Sequence, residues 1–309
     1  MPETNSNLSL NLQHKLSVGN TPLLDLSDLG ELSKTVKVLA KAEWANPGGS
    51  VKDRAAAGMV IHAFENGNLA EGGTLIDATS GNTGIAYAWI GARLGFKVVL
   101  CVPDSVNAER RRILQLLNAE LIFTDPLEST DGAICEVRRL IEANPGVYFY
   151  SDQYNNPENY RAHYATTGPE VWQQTNESIT HFITGLGTTG TFRGTSTFLK
   201  EKNADIQVIA VQPDGPLHGL EGIKHMETAI VPGIHDPKLA DATVEIRTED
   251  AQALCRRTAK ERGLLLGPSG AANLLAALRL GETLSNATIV TVLPDSGEHY
   301  LGDNFWDEA

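Results

Sequence analysis

Short runs of β-branched and other apolar residues alternate along the chain with longer stretches whose apolar positions recur every three or four residues. The runs at 36–41, 74–78, 97–102, 119–123, 147–150, 181–184, 207–212 and 288–293 predict strands. Between them the spacing predicts helices over 52–66, 82–94, 109–117, 132–142, 169–175, 191–202, 248–262 and 271–280. Such alternation belongs to α/β folds, with largely parallel twisted sheets flanked by helices. Val-Val-Leu-Cys-Val (98–102) and Ile-Val-Thr-Val-Leu (289–293) are apolar almost throughout, as strands covered on both faces must be.

Two stretches break the alternation. Residues 151–167, with Asn155, Asn156, Pro157 and Asn159, read as a loop-rich junction between two series of strands and helices. Residues 213–237 carry Gly215, Gly219, Gly222 and Gly233 with little periodicity. A loop of that length after a strand end points to function. The polar start, 1–15, reads as a flexible lead-in with no apolar core of a signal peptide. At about 150 residues per domain, 309 residues suggest two domains.

Composition narrows the class. A net charge of −13 opposes nucleic-acid binding and attraction to anionic membranes. An anionic ligand therefore needs local donors or backbone dipoles. No apolar run approaches the ~20 residues that span a bilayer. Cys101, Cys135 and Cys255 have neither metal-ligand nor redox spacing, and no His-x-x-x-His pair occurs, so no metal site is expected. Cys101 sits in an apolar strand and reads as a small core residue. A cytoplasmic enzyme is the expectation.

Chemistry concentrates in loops that follow predicted strands, where open α/β sheets bind ligands. Asn-Pro-Gly-Gly-Ser-Val-Lys-Asp-Arg (46–54) puts Lys52 behind a glycine-rich turn, at the first turn of a helix. A solvated lysine is one reading, and a Schiff-base lysine is the other. Thr-Ser-Gly-Asn-Thr-Gly (79–84) offers hydroxyls, an amide and backbone N–H groups at a helix start; it is either a carboxylate or phosphate cradle or a well-capped helix. Gly-Leu-Gly-Thr-Thr-Gly-Thr (185–191) meets the Gly-x-Gly-x-x-Gly fingerprint of nicotinamide dinucleotide sites, with Asp214 as a candidate ribose partner. Its two threonine hydroxyls suit a single phosphate better. Gly-Pro-Ser-Gly (267–270) leads into a helix, with Ser269 a simple N-cap when read alone. An aldehyde for a lysine, a phosphate and an amino-acid carboxylate are together met by pyridoxal phosphate.

Five of these segments, in this order, resemble the cysteine synthase family: 46–54, 79–84, Thr-Thr-Gly-Pro-Glu (166–170), Gly-Thr-Thr-Gly-Thr (187–191) and Pro-Ser-Gly-Ala-Ala (268–272). These are pyridoxal-phosphate enzymes of fold type II, the tryptophan synthase β-like fold. The resemblance runs from Gly-Asn-Thr-Pro-Leu (19–23) to Tyr300 and Leu301. The 187–191 loop looks more like the B-type enzymes than the A-type. The resemblance implies that Lys52 is the Schiff-base lysine and proton shuttle, and that Asn82 bonds the cofactor's ring hydroxyl oxygen. It implies a phosphate cup of Gly187, Thr188, Thr189, Gly190 and Thr191, with Ser269 partnering the pyridine nitrogen. It places Thr79, Ser80, Gly81 and Thr83, with Gln153, around the substrate carboxylate. It also implies a large domain of 1–46 and 157–309, and a small mobile one of 47–156 that closes over substrate.

The implied reaction is a β-replacement, through an α-aminoacrylate, on an O-activated L-serine. A sulfur nucleophile adds and L-cysteine leaves. Gly222 and Lys224 fall on the leaving-group side. Lysine stands where B-type and phosphoserine-using relatives carry arginine, and reads either as a solvated side chain or as a point charge for a phosphate, so O-acetyl-L-serine is expected first and O-phospho-L-serine second. The sulfur donor, a sulfur-carrier or acetyltransferase partner and the dimer interface stay open; a homodimer is implied. Cystathionine β-synthase or another β-eliminating lyase is the nearest alternative. A nicotinamide-dependent oxidoreductase using Gly185, Gly187 and Gly190 is a distant one, and a non-catalytic binding paralogue would not need Lys52.

Overall fold

A computed structural model describes residues 5–79 and 81–307. From the N-terminus the elements are α1 (Asn5–Leu16), β1 (Leu23–Asp25), β2 (Val36–Ala42), α2 (Lys52–Glu65), β3 (Thr74–Ala78), α3 (Asn82–Leu94), β4 (Lys97–Pro103), α4 (Ala108–Leu116) and β5 (Glu120–Thr124). They continue with α5 (Ser129–Ala143), β6 (Phe149–Tyr150), α6 (Glu158–Ala165), α7 (Thr167–Gln174), β7 (His181–Gly185) and α8 (Gly190–Lys202). The last are β8 (Gln207–Pro213), β9 (Ala242–Ile246), α9 (Thr248–Arg262), α10 (Pro268–Glu282) and β10 (Ala287–Leu293). The chain gathers into two compact units, Met1–Val18 with Asn46–Asn159 and Gly19–Ala45 with Tyr160–Ala309.

The first unit holds a parallel sheet in the order β5-β4-β3-β6. Successive side chains of a strand point to opposite faces, and the core follows that period. Leu75, Val98, Leu100 and Val102 pack with Ala56, Met59 and Val60 of α2 and with Ile85 and Ile90 of α3. Ile76, Ala78, Val99 and Cys101 face the other way, onto Ala133 and Val137 of α5. Burial pushes the Cys101 thiol up to about 12, so it stays protonated as a core residue should.

The expected flexible lead-in is a helix. Leu12 and Leu16, one turn apart, are buried with the core of α2 and α3, and Arg93 Nε donates to the Lys15 carbonyl at 2.5 Å. The polar composition of 1–15 hides this buried face. Residues up to Val18 therefore sit in the first unit, whereas the expected boundaries put 1–46 with the C-terminal half.

The second unit holds a six-stranded sheet, β1-β2-β10-β7-β8-β9, parallel except for β1 against β2. The β2–β10 pair runs in register from Val36↔Ala287 to Ala42↔Leu293. Val38, Ala40, Ile183, Ile289 and Leu293 pack with Leu254 of α9 and with Ala271, Leu274 and Leu278 of α10. Truncating a fully buried leucine such as Leu274 to alanine costs about 2–5 kcal/mol. Strand β1 is short, and β9 is mostly exposed at a sheet edge, with only Val244 half-buried and Ile246 buried, so neither gives the continuous apolar run of an inner strand. Helix α6 lies inside the band expected as loop. Residues 214–241 form turns without helix or strand, as their composition predicts.

Candidate active site

Lys52 opens α2, and the turn before it is tied from several sides. Ser50 Oγ accepts from the Lys52 N–H at 3.2 Å, and the Gly49 N–H donates to the Asn46 carbonyl at 2.9 Å. The fully buried Asp53 carboxylate takes the Gly48 N–H at 2.5 Å and the Trp89 Nε1–H at 3.0 Å. A Cβ at Gly48 would collide with the Trp89 ring and the Asp53 carboxylate, so only glycine fits. Asp53 and Trp89 are residues that spacing did not single out; they tie the turn before Lys52 to α3. Lys41 is also buried, but its Nζ is committed to Glu170 Oε2 at 2.5 Å and the Thr21 carbonyl at 2.7 Å. The Thr-Thr-Gly-Pro-Glu segment thus serves the architecture of the second unit, through Glu170.

The loop after β3 lies in the same unit as Lys52. Thr79 Oγ1 accepts from the Gly81 N–H at 3.3 Å, and Gly81 is the N-cap of α3, which begins at Asn82. Thr83 donates its hydroxyl to Gln153 Oε1 at 2.8 Å, and Gln153 Nε2 donates to the Ala78 carbonyl at 3.4 Å. The structure thereby brings Thr79, Gly81, Asn82, Thr83 and Gln153 together; Ser80 lies outside the described residues. Gln153 owes its place to the asparagines of the junction. Asp152 is left-handed at φ 47°, Asn156 Nδ2 donates to the Ser151 carbonyl at 2.9 Å, and Asn159 Nδ2 to the Gln153 carbonyl at 2.7 Å.

The remaining candidates lie in the second unit, at the carboxyl ends of its strands. The loop from β7 into α8 closes on itself: the Gly190 N–H points at Thr188 Oγ1 at 3.4 Å, and the first intrahelical bond is Arg193 N–H to the Thr189 carbonyl at 2.8 Å. The amides of the first turn therefore face outward, with the positive end of the helix dipole. A Cβ at Gly187 would strike the Gly222 carbonyl oxygen, which fixes how closely the 220–224 segment lies on the cup. The Lys224 N–H donates to the Leu186 carbonyl at 2.7 Å, so Gly222 and Lys224 are anchored beside it. Nearby, burial and the charge of His225 hold the His218 imidazole below its usual range. Thr191 Oγ1 lies 3.3 Å from His163 Nε2, whose Nδ1 meets Thr167 Oγ1 at 2.8 Å. His163 was missed because it falls in the band expected as loop.

Ser269 is not an N-cap. Gly267 caps α10 and Pro268 takes its first position, which suits a residue with no N–H to satisfy, so Ser269 stands inside the first turn, 5% exposed. One turn on, Asn273 Nδ2 donates to the Val292 carbonyl at 2.8 Å and to Thr184 Oγ1 at 3.3 Å, fixing α10 against β10 and β7. A lone amide behind Ala271 and Ala272 in a mostly apolar helix was the available signal.

The chain matches the model of a family described as pyridoxal-phosphate dependent enzyme over residues 14–295. It is 49% identical over 290 residues to a cysteine synthase of Aquifex aeolicus, covering 92% of this chain and 89% of that one. The chain belongs to the pyridoxal-phosphate dependent enzymes, in the cysteine synthase family. It is also 42% identical to cysteine synthase B of Pseudomonas aeruginosa, with 94% and 96% of the two chains covered. A solved structure of a cysteine synthase from Entamoeba histolytica superposes with a TM-score of 0.91 at 35% identity, covering 96% of this chain and 90% of that one. The fold is thus fold type II, the cofactor is pyridoxal phosphate, and the nicotinamide reading of Gly185, Gly187 and Gly190 falls away.

The 187–191 cup fits that cofactor's phosphate. Thr189 Oγ1 is buried and has no hydrogen-bond partner among the described residues, and Thr189 holds φ at 70°, which costs a β-branched residue about 1–3 kcal/mol. A strained backbone that buries an unsatisfied hydroxyl beside the first amides of a helix is the arrangement an anion completes.

Proposed function

We propose that this pyridoxal-phosphate-dependent cysteine synthase takes O-acetyl-L-serine as its first substrate, with O-phospho-L-serine second, and joins its three-carbon unit to a sulfur nucleophile. The observation that carries the amino-acid reading is the Thr83–Gln153 hydrogen bond at the start of α3, beside Thr79 and Gly81. Hydroxyl, amide and helix amides together recognise a carboxylate. Lys52 would hold the aldehyde carbon covalently through Nζ. Its Nζ, when not so bound, would take the substrate's α-proton and later return it to the product's Cα. When bound, the cofactor supplies a ring that accepts the electron pair left by that proton. Asn82 would bond the ring hydroxyl oxygen, and Ser269 Oγ the ring nitrogen. A neutral serine leaves the ring less electron-withdrawing than an acid would, which favours elimination and replacement at the β-carbon. Gly187, Thr188, Thr189, Gly190 and Thr191 would hold the phosphate. A homodimer in the cytoplasm completes the reading.

The ester preference is assigned to the 218–225 segment, where Lys224 stands beside the cup. A lysine meets a phosphate as a point charge, without the fork of an arginine. Steady-state kinetics with both esters and sulfide test this. The wild type is expected to favour the acetyl ester in kcat/KM, and Lys224→Ala to lose about tenfold on the phospho ester alone. An equal loss on both would refute the phosphate role.

A further inference from the structure

Asp77, Tyr87 and Ser151 form a buried polar chain that no step above uses. Asp77, next to last in β3, is 1% exposed and Tyr87 and Ser151 are fully buried. The Ala78 N–H donates to Asp77 Oδ1 at 2.8 Å; Tyr87 Oη lies 3.0 Å from Asp77 Oδ2 and 2.8 Å from Ser151 Oγ. Ser151 Oγ lies 3.5 Å from Met59 Sδ on α2. Stability alone does not call for such a chain, since apolar residues of the same shape are often as good in a core.

Each member is one short step from a residue of the carboxylate site. Asp77 precedes Thr79 by two residues, and Ser151 precedes Gln153 by two. Tyr87 follows Thr83 by one helical turn and shares its face of α3. The sets also touch: the Gln153 backbone N–H is directed at the Asp77 carboxyl, while its side chain joins Thr83 to the Ala78 carbonyl.

We propose that Asp77, acting through Tyr87, Ser151 and Gln153, is a positioning residue whose charge sets how tightly the amino-acid carboxylate is held at Thr79, Thr83 and Gln153. This rests on the carboxylate reading of that site. The titratable groups facing Asp77 are Tyr87 of α3, Cys101 of β4, Tyr150 of β6, and Asp152 and Tyr154 beyond it. Burial, reinforced by Asp152, lifts its carboxyl to about 7 against the opposing hydrogen bonds of Ala78, Tyr87 and Gln153. Protonated, Asp77 donates to Tyr87, Tyr87 to Ser151 and Ser151 to Met59 Sδ. Ionised, it takes the Tyr87 hydroxyl, Ser151 turns to Tyr87, and Met59 loses its donor. The heavy atoms stay in place while the direction of the chain reverses. The ionised form also sets a second negative charge behind the substrate carboxylate, so binding weakens as pH rises through the Asp77 midpoint. By linkage, a bound carboxylate raises that midpoint by the same factor.

The test measures kcat and KM for O-acetyl-L-serine with holoenzyme from about pH 6 to about pH 8.5, spanning the Asp77 midpoint. The ratio of wild-type KM to Asp77→Asn KM is expected to grow about fivefold over that range, with the change falling on KM and not on kcat. Tyr87→Phe, which cuts the chain but keeps the ring, should weaken the same pH dependence. A constant KM ratio overturns the proposal. Infrared difference spectra give a readout independent of turnover: a protonated-carboxyl stretch, absent in Asp77→Asn, that titrates near neutrality and shifts to higher pH when L-serine is added. If that shift occurs but O-acetyl-L-serine is not turned over, the ester assignment fails and the positioning role is upheld. Turnover without the shift refutes the role.

Discussion

Thr189 shows how one side chain can report a ligand. Its φ of 70° is unfavourable for a β-branched residue, and its hydroxyl is buried without a partner among the described residues. Both costs are offset if the hydroxyl donates to a phosphate oxygen. Thr189→Val keeps the branched shape and removes the donor. Titration of the apoenzyme with pyridoxal phosphate is then expected to show about tenfold weaker binding, the scale of one hydrogen bond to a charged acceptor. Unchanged affinity would mean that the hydroxyl faces no phosphate. The placement of Lys52, Asn82 and the threonines of both loops at helix starts was legible from sequence because turn chemistry and glycine spacing are local. Asp53, Asp77, Tyr87 and His163 were not. Each acts through a partner that chain spacing does not reveal, as when Asp53 reaches back to Gly48 and across to Trp89.

The elements divide in the same way. Strands covered on both faces, such as β4 and β10, announce themselves as continuous apolar runs, and α3 and α9 begin and end at the positions that their periodicity predicts. Helix α1 does not, although Leu12 and Leu16 are buried with the core of the first unit. Leu16→Ala is accordingly expected to lower the stability of that unit by about 2–4 kcal/mol in urea unfolding. A change below about 0.5 kcal/mol, the scale of a surface substitution, would mean that α1 is the loose lead-in its composition suggests. Strand β9 escaped notice for the opposite reason: at a sheet edge its alternation is weak, and it follows a long stretch of turns.

At the scale of the whole molecule, a net charge of −13 surrounds sites that must hold anions. The starts of α3 and α8 would supply what the net charge does not, through backbone amides, hydroxyls and helix dipoles. No helix among the described residues is long and apolar enough to cross a membrane. The fold class and the ordered motifs were legible across nearly the whole length, since α/β alternation is a pattern of many local signals. Ester choice was not, because the 218–225 segment proposed to set it has no secondary structure and little periodicity. Lys52 is the proposed covalent anchor, since the buried Lys41 is ion-paired. Borohydride reduction of the holoenzyme followed by peptide mass spectrometry tests that choice most directly. A phosphopyridoxyl adduct is expected on the peptide that contains Lys52; an adduct on another lysine, or none in cofactor-loaded protein, would refute the anchor.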